Sequence, residues 1–148
     1  MSTNPRVPAP VKPFRHKLDV QLRFNDIDMF GHVNNSVYLQ FFDLGKLRYF
    51  EDALGKDFMK SGLAVVIVNI NCDFFAPSFL NEPLAVMTQT IHLGDKSLTL
   101  EQRIVNTATG EVKCMARTVM AGFDPATLAS AEIPAHAKES LTSYDNGI

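Results

Sequence analysis

Residues 35 to 54 read as a helix with almost no polar side. Val37, Tyr38, Leu39, Phe41, Phe42, Leu44, Leu47, Tyr49, Phe50, Ala53 and Leu54 spread around most of its circumference. A surface helix keeps one wide polar face, so this one must be buried on most sides. The chain has 148 residues, enough for a single domain with one real core. The rest of the chain therefore has to supply a sheet large enough to wrap the helix. Gly45, at the helix centre, carries a propensity penalty and suggests close packing against a sheet or a neighbouring helix. Gly55 is well placed to end the helix.

The flanking sequence supplies that sheet. Leu18-Asp19-Val20-Gln21-Leu22-Arg23-Phe24 alternates apolar and polar without a break, the pattern of a half-buried strand. After a loop with room for one helical turn, residues 63–75 begin as a continuous apolar run, end in alternation, and stop at Ala76-Pro77. Further strands are expected over 84–93, 97–106 and 111–123. Gly94-Asp95-Lys96 and Thr107 to Gly110 act as their turn signals, and strands joined by such short turns form an antiparallel meander. The result is an α+β domain with a long helix on one face of an antiparallel sheet. Residues 1–17 hold Pro5, Pro8, Pro10 and Pro13 and read as an extended or disordered arm. Residues 126–148 read as a polar tail with a short helix near Ala135 to Leu141 and loose final residues.

Composition narrows the function classes. Net charge is −2 with no basic run, which favours neither nucleic acid nor an anionic membrane surface. No stretch is long and apolar enough for a signal peptide or a membrane span, and a cytoplasmic protein is expected. Cys72 and Cys114 lie far apart in sequence, outside metal-type spacing, and are expected to be reduced and buried.

The chemistry concentrates in residues 23–38, between the first strand and the helix. Two carboxylates (Asp26, Asp28), one imidazole (His32) and two carboxamides (Asn34, Asn35) crowd this link, with Gly31 at its bend. Asn34, Asn35 and Ser36 are all good helix N-cap residues. A carboxylate is thereby held near the free N–H groups that begin a helix. That pairing suits acyl chemistry, in which one group supplies or activates a nucleophile and the N–H groups stabilise an oxyanion.

The stretch Asp26-Ile27-Asp28-Met29-Phe30-Gly31-His32-Val33-Asn34-Asn35, followed by Tyr38 and the long helix, resembles the single-domain hotdog-fold acyl-CoA thioesterases. The group in question is that of 4-hydroxybenzoyl-CoA thioesterase and the YbgC/FadM-like enzymes. The resemblance continues through Asn69-Ile70-Asn71-Cys72-Asp73-Phe74-Phe75-Ala76-Pro77 and the closing strands, covering about residues 18–125. It implies a five-stranded antiparallel sheet curled around the helix. It also implies homodimers or homotetramers that pair sheets edge to edge, with active sites at the subunit interface. The family's catalytic carboxylate falls on Asp28, and the backbone N–H that polarises the thioester carbonyl falls on Asn35. Gly31, His32, Asn34 and Tyr38 complete the expected substrate-binding set. Water is the co-substrate, with no metal or organic cofactor.

Each residue also has a plainer role available. Asp28 could act as general base, as nucleophile, or only as a turn or helix cap. Asp26 is expected to brace the loop. His32 could bond substrate, orient Asp28 or brace the loop, and Tyr38 could pack in the core or an interface. An EF-hand reading of Asp26, Asp28 and Gly31 fails, because Phe30 and Val37 stand where oxygen ligands are required. A zinc or iron site from Asp26, Asp28 and His32 lacks a second His. Lys96, Arg103, Lys113 and Arg117 are the cations of the meander that could meet phosphates, and none is singled out. Two other functions fit the pattern: hydrolysis of acyl-carrier-protein thioesters, and a non-catalytic module that binds acyl-CoA. The larger carrier-protein enzymes carry an Asn where this chain has Phe30 and use two hotdog domains in one chain.

Overall fold

The computed structural model describes residues 4–60 and 62–147. Its elements are β1 (His16–Val20), α1 (Asn35–Leu54), β2 (Val65–Phe74), β3 (Leu84–Leu93), β4 (Ser97–Asn106), β5 (Val112–Gly122) and α2 (Ala135–Asp145). One antiparallel sheet runs in the order β1-β3-β4-β5-β2. The last three strands in sequence form the expected meander, and β1 and β2 are its two edges.

Helix α1 lies across one sheet face. Its N-terminal half packs Val37, Tyr38, Phe41 and Phe42 on Val86, Ile104, Cys114 and Ala116. Its C-terminal half packs Tyr49 and Phe50 on Leu98, Leu100 and Met120. Gly45 marks the closest approach: a Cβ there would stand 2.6 Å from Cγ1 of Val86. Beside it, Nε2 of the buried Gln102 donates to the Phe42 carbonyl at 2.9 Å and to Thr88 Oγ1 at 3.0 Å. Gly55 closes the helix with φ +100°, its N–H donating to Glu51 O.

Three features depart from the sequence-based expectations, and one, the third below, adds to them. The first strand ends at Val20, and Phe24–Asp26 forms a 3-10 turn. The turn wins over the alternating pattern because Asp26 accepts from the Arg23 backbone and guanidinium at 2.8 and 2.9 Å. Second, α1 is not covered on most sides by its own chain, for Leu39, Leu44 and Leu47 are 39, 40 and 44% exposed. Third, β2 is an edge strand whose Val66, Val68, Ile70 and Phe74 are exposed.

The fourth concerns the termini, both of which pack. The arm is extended along the sheet face opposite α1, where Arg103 Nη2 donates to Pro8 O at 2.7 Å and Gln89 Nε2 to Lys12 O at 3.2 Å. Its first three residues lie outside the described residues. The C-terminal helix runs on to Asp145, with Ala137 and Leu141 joining the core under Tyr49. Among the described residues no helix is long and apolar enough to cross a membrane.

Candidate active site

The loop between β1 and α1 folds onto itself before the helix starts. Ile27 and Val33 form an isolated antiparallel bridge, and the Asp28 N–H donates to His32 O at 2.8 Å. Gly31 makes the return with φ +81°, a conformation that side-chain-bearing residues rarely adopt. Inside this small hairpin the Asp28 carboxylate is fixed by two backbone donors. Phe30 N–H and His32 N–H both reach Oδ1, at 2.9 and 3.3 Å. Among the described residues no hydrogen bond ends on Oδ2. One oxygen thus anchors the side chain.

The hairpin is stitched to its surroundings by main-chain bonds. Asn34 N–H donates to Asp26 O at 2.8 Å, and Val33 N–H to Ser78 O at 2.9 Å. Asn34 then caps α1, its Oδ1 accepting from Ser36 N–H at 3.0 Å and Ser36 Oγ at 3.1 Å. Asn35 is the first residue of the helix. Its N–H has no carbonyl one turn back to pair with, and it sits at the positive end of the helix dipole.

Asp28 and Asn35 line one cleft of about 230 Å³ together with His32 and Tyr38. The opposite wall is the end of β2 and the residues after it, Phe74 to Pro77. Tyr38 is buried and donates its hydroxyl proton to Ser78 Oγ at 2.8 Å, with its ring against Phe74. Burial raises its pKa above the ordinary tyrosine value, so it stays a phenol. The half-buried His32 packs edge-on against Phe79, with ring centroids 5.2 Å apart. The cleft thus joins Asp28, the first residue of the helix and an apolar wall.

Not every candidate reaches this cleft. Gly31 shapes the hairpin without lining it, and Asn34 points to the helix cap and a polar depression beside Arg23 and Gln40. Asp26 is the loop brace expected of it. The hydrogen bond from the Arg23 side chain, above all, holds its carboxyl below the usual carboxylate range against the opposing effect of burial. Asp26, Asp28 and His32 do not converge, and among the described residues no group of three or more His, Cys, Asp or Glu could hold a metal. Two of the four cations considered for phosphate are engaged elsewhere. Arg103 is buried against Glu101 and the arm, and Lys113 is buried against Glu82 and Pro77 O. Lys96 and Arg117 stay exposed.

Ser78 was not a sequence candidate. It ties the cleft's wall to both Val33 and Tyr38, and only the abrupt strand stop at Ala76-Pro77 hinted at a structured turn there.

Comparison with known proteins follows the same lines. The family model described as Thioesterase-like superfamily matches residues 22–141. The long-chain acyl-CoA thioesterase FadM of Escherichia coli (strain K12) is 28% identical over 123 residues, 82% of this chain and 93% of that protein. A thioesterase from Thermus thermophilus, solved in complex with coenzyme A and Zn, superposes with a TM-score of 0.78 at 27% identity. The superposition covers 89% of this chain and 95% of that one. YbaW, a probable thioesterase from Escherichia coli, gives 0.77 at 26% identity over 88% and 98% of the two chains. The fold they share with this chain is the hotdog fold.

Proposed function

We propose that this chain, which belongs to the thioesterase-like superfamily, hydrolyses acyl-CoA thioesters to the free acid and coenzyme A. The observation that carries the reading is the shared cleft of Asp28 and Asn35. The thioester carbonyl oxygen accepts from the Asn35 N–H, where the helix terminus stabilises the negative charge that develops there. Asp28, held through Oδ1, uses Oδ2 to take a proton from the attacking water, or attacks the carbonyl carbon itself to form a mixed anhydride. Coenzyme A leaves as the thiol in either route. The wall from Phe74 to Pro77 provides apolar surface for the acyl group. A substrate carried on coenzyme A, and two cysteines that stand as free thiols, fit a cytoplasmic enzyme.

We also infer that the working unit is a homodimer joined along β2. This ten-residue edge strand offers unpaired backbone groups flanked by exposed Val66, Val68 and Ile70. An edge of that length and character is covered in a soluble protein. The cleft opens beside it, since Phe74 belongs to both. Sedimentation should give a dimer, and Val68→Lys should shift it to monomer. A monomeric wild type would refute the pairing.

A panel of long-chain, short-chain and aromatic acyl-CoAs, followed by thiol release, tests the activity. The similarity to FadM, a long-chain acyl-CoA thioesterase, makes the long-chain esters the first arm. Turnover by the wild type and its loss in Asp28→Asn support the assignment. Full turnover in Asp28→Asn removes Asp28 from the mechanism, and binding without turnover favours a non-catalytic module. Label found in the Asp28 carboxylate after a single turnover in oxygen-18-labelled water identifies the nucleophilic route, with water opening the anhydride at the Asp28 carbon.

A further inference from the structure

Cys72 and Cys114, 42 residues apart in sequence, meet beneath the cleft. In the β2–β5 register Cys72 is opposite Ala116, and Cys114 is opposite Phe74. The two thiols are therefore diagonal neighbours, and both join the cluster formed by Tyr38, Phe42 and Val37 under α1. Their Sγ atoms are 3.4 Å apart and both cysteines are free. A disulfide bond is about 2.05 Å long, so the two sulfurs have only a short remaining distance to close.

We propose that Cys72 and Cys114 form an oxidative-modification site in which a peroxide converts Cys72 to a sulfenic acid that Cys114 resolves into a reversible intrachain disulfide. The two thiols differ in the way this division requires. Cys72 is half-buried, while Cys114 is fully buried. The hydrogen bond between them lowers the Cys72 thiol below its ordinary pKa and, together with burial, pushes Cys114 far up. Of the two, Cys72 is the sulfur more readily deprotonated. In the first step Cys72 Sγ attacks one peroxide oxygen, the O–O bond breaks, and the departing hydroxide leaves as water after taking a proton. In the second, Cys114 sulfur attacks Cys72 sulfur, the S–O bond breaks, and the hydroxyl leaves as water with the Cys114 proton. Two thiols lose two electrons and two protons, and one peroxide becomes two waters. In a reducing compartment such a bond is transient, which suits a sensor rather than a staple. The chemistry stands whether or not the chain hydrolyses thioesters.

The test treats the full-length protein with hydrogen peroxide, quenches it, alkylates the remaining thiols under denaturing conditions, and maps the peptides by mass. The wild type should lose both thiols together, yield a peptide pair cross-linked through Cys72 and Cys114, and recover both with dithiothreitol. Cys114→Ser should stop at a Cys72 sulfenic acid trapped by dimedone, whereas Cys72→Ser should leave Cys114 fully alkylatable. Both wild-type thiols surviving peroxide would overturn the proposal. So would a disulfide linking two copies through Cys72, or dimedone labelling of Cys114 instead of Cys72. The wild-type result requires no variant to fold.

Discussion

The two ends of α1 are built on opposite plans. At the N-terminus, apart from the bonds of Tyr38 and Val33 to Ser78, the polar groups bond within a few residues of one another: Asp28 to Phe30 and His32, Asn34 to Ser36, Asp26 to Arg23. Much of this end is open to solvent, and Asn35 lines a cleft. At the C-terminal half, besides the local pairs Lys46–Asp43 and Arg48–Glu51, a set of bonds joins distant segments. Tyr49 donates its hydroxyl proton to Asp145 Oδ2 at 2.8 Å and stands 2.7 Å from Thr90 Oγ1, while Thr90 N–H reaches the same carboxylate oxygen at 2.9 Å. His16 Nε2 lies 2.9 Å from Asp52, and Lys12 lies 3.8 Å from Asp145. One end leaves hydrogen-bonding capacity for a ligand, and the other spends it on holding both termini to the fold. A single helix thereby divides reactivity from anchorage.

The largest expected effect lies at the open end. Asp28→Asn should lower kcat by about 10²–10⁴-fold while the denaturation midpoint stays where it was. Asp145→Ala should do the reverse, because it strands the Thr90 N–H in the core. The Tyr49 hydroxyl keeps Thr90 Oγ1 as a partner, so a stability loss of about 1–3 kcal/mol from the Thr90 N–H, read by urea titration, should come with unchanged kcat per folded molecule. If Asp145→Ala instead lowers kcat at full stability, the division between the two ends fails.

Asn34→Ala sits between these cases. Loss of the cap bond to Ser36 should cost about 1 kcal/mol, measurable in the same titration. The smallest effect concerns pH. Asp26 is held below its ordinary pKa in the folded state by Arg23, so its contribution is complete above the unfolded value of about 3.9. It is lost as pH falls through the lower folded value. Stabilities of wild type and Arg23→Gln should therefore differ at neutral pH and converge in strong acid. A constant gap at every pH would mean that Arg23 acts without Asp26.

What could be read from sequence follows the same division. The helix bounds at Asn35 and Leu54, the strands over 84–93 and 97–106, and the site hairpin are encoded by neighbours: caps, turn glycines and local alternation. The anchoring end was illegible, because nothing near Tyr49 announces Asp145, 96 residues later. For the same reason the tail looked loose and Cys72 and Cys114 looked unrelated. Apolar composition also misled in one direction. Leu39, Leu44 and Leu47 on α1, and the Val-rich run of β2, are as apolar as core, yet their own chain leaves them exposed. Hydrophobicity alone does not say whether a surface packs within its own chain.

Gly45 carries a consequence for the chemistry about ten residues away, at the start of its helix. With Val86 already closer than an added Cβ could tolerate, even one methyl group acts as a wedge between helix and sheet. The rigid cylinder of α1 would tilt or lift as a whole and take the Asn35 amide with it, whereas Asp28 would remain where its hairpin holds it. The gap between the Asp28 carboxylate and the Asn35 amide is thus gauged partly by an absent side chain at the helix midpoint.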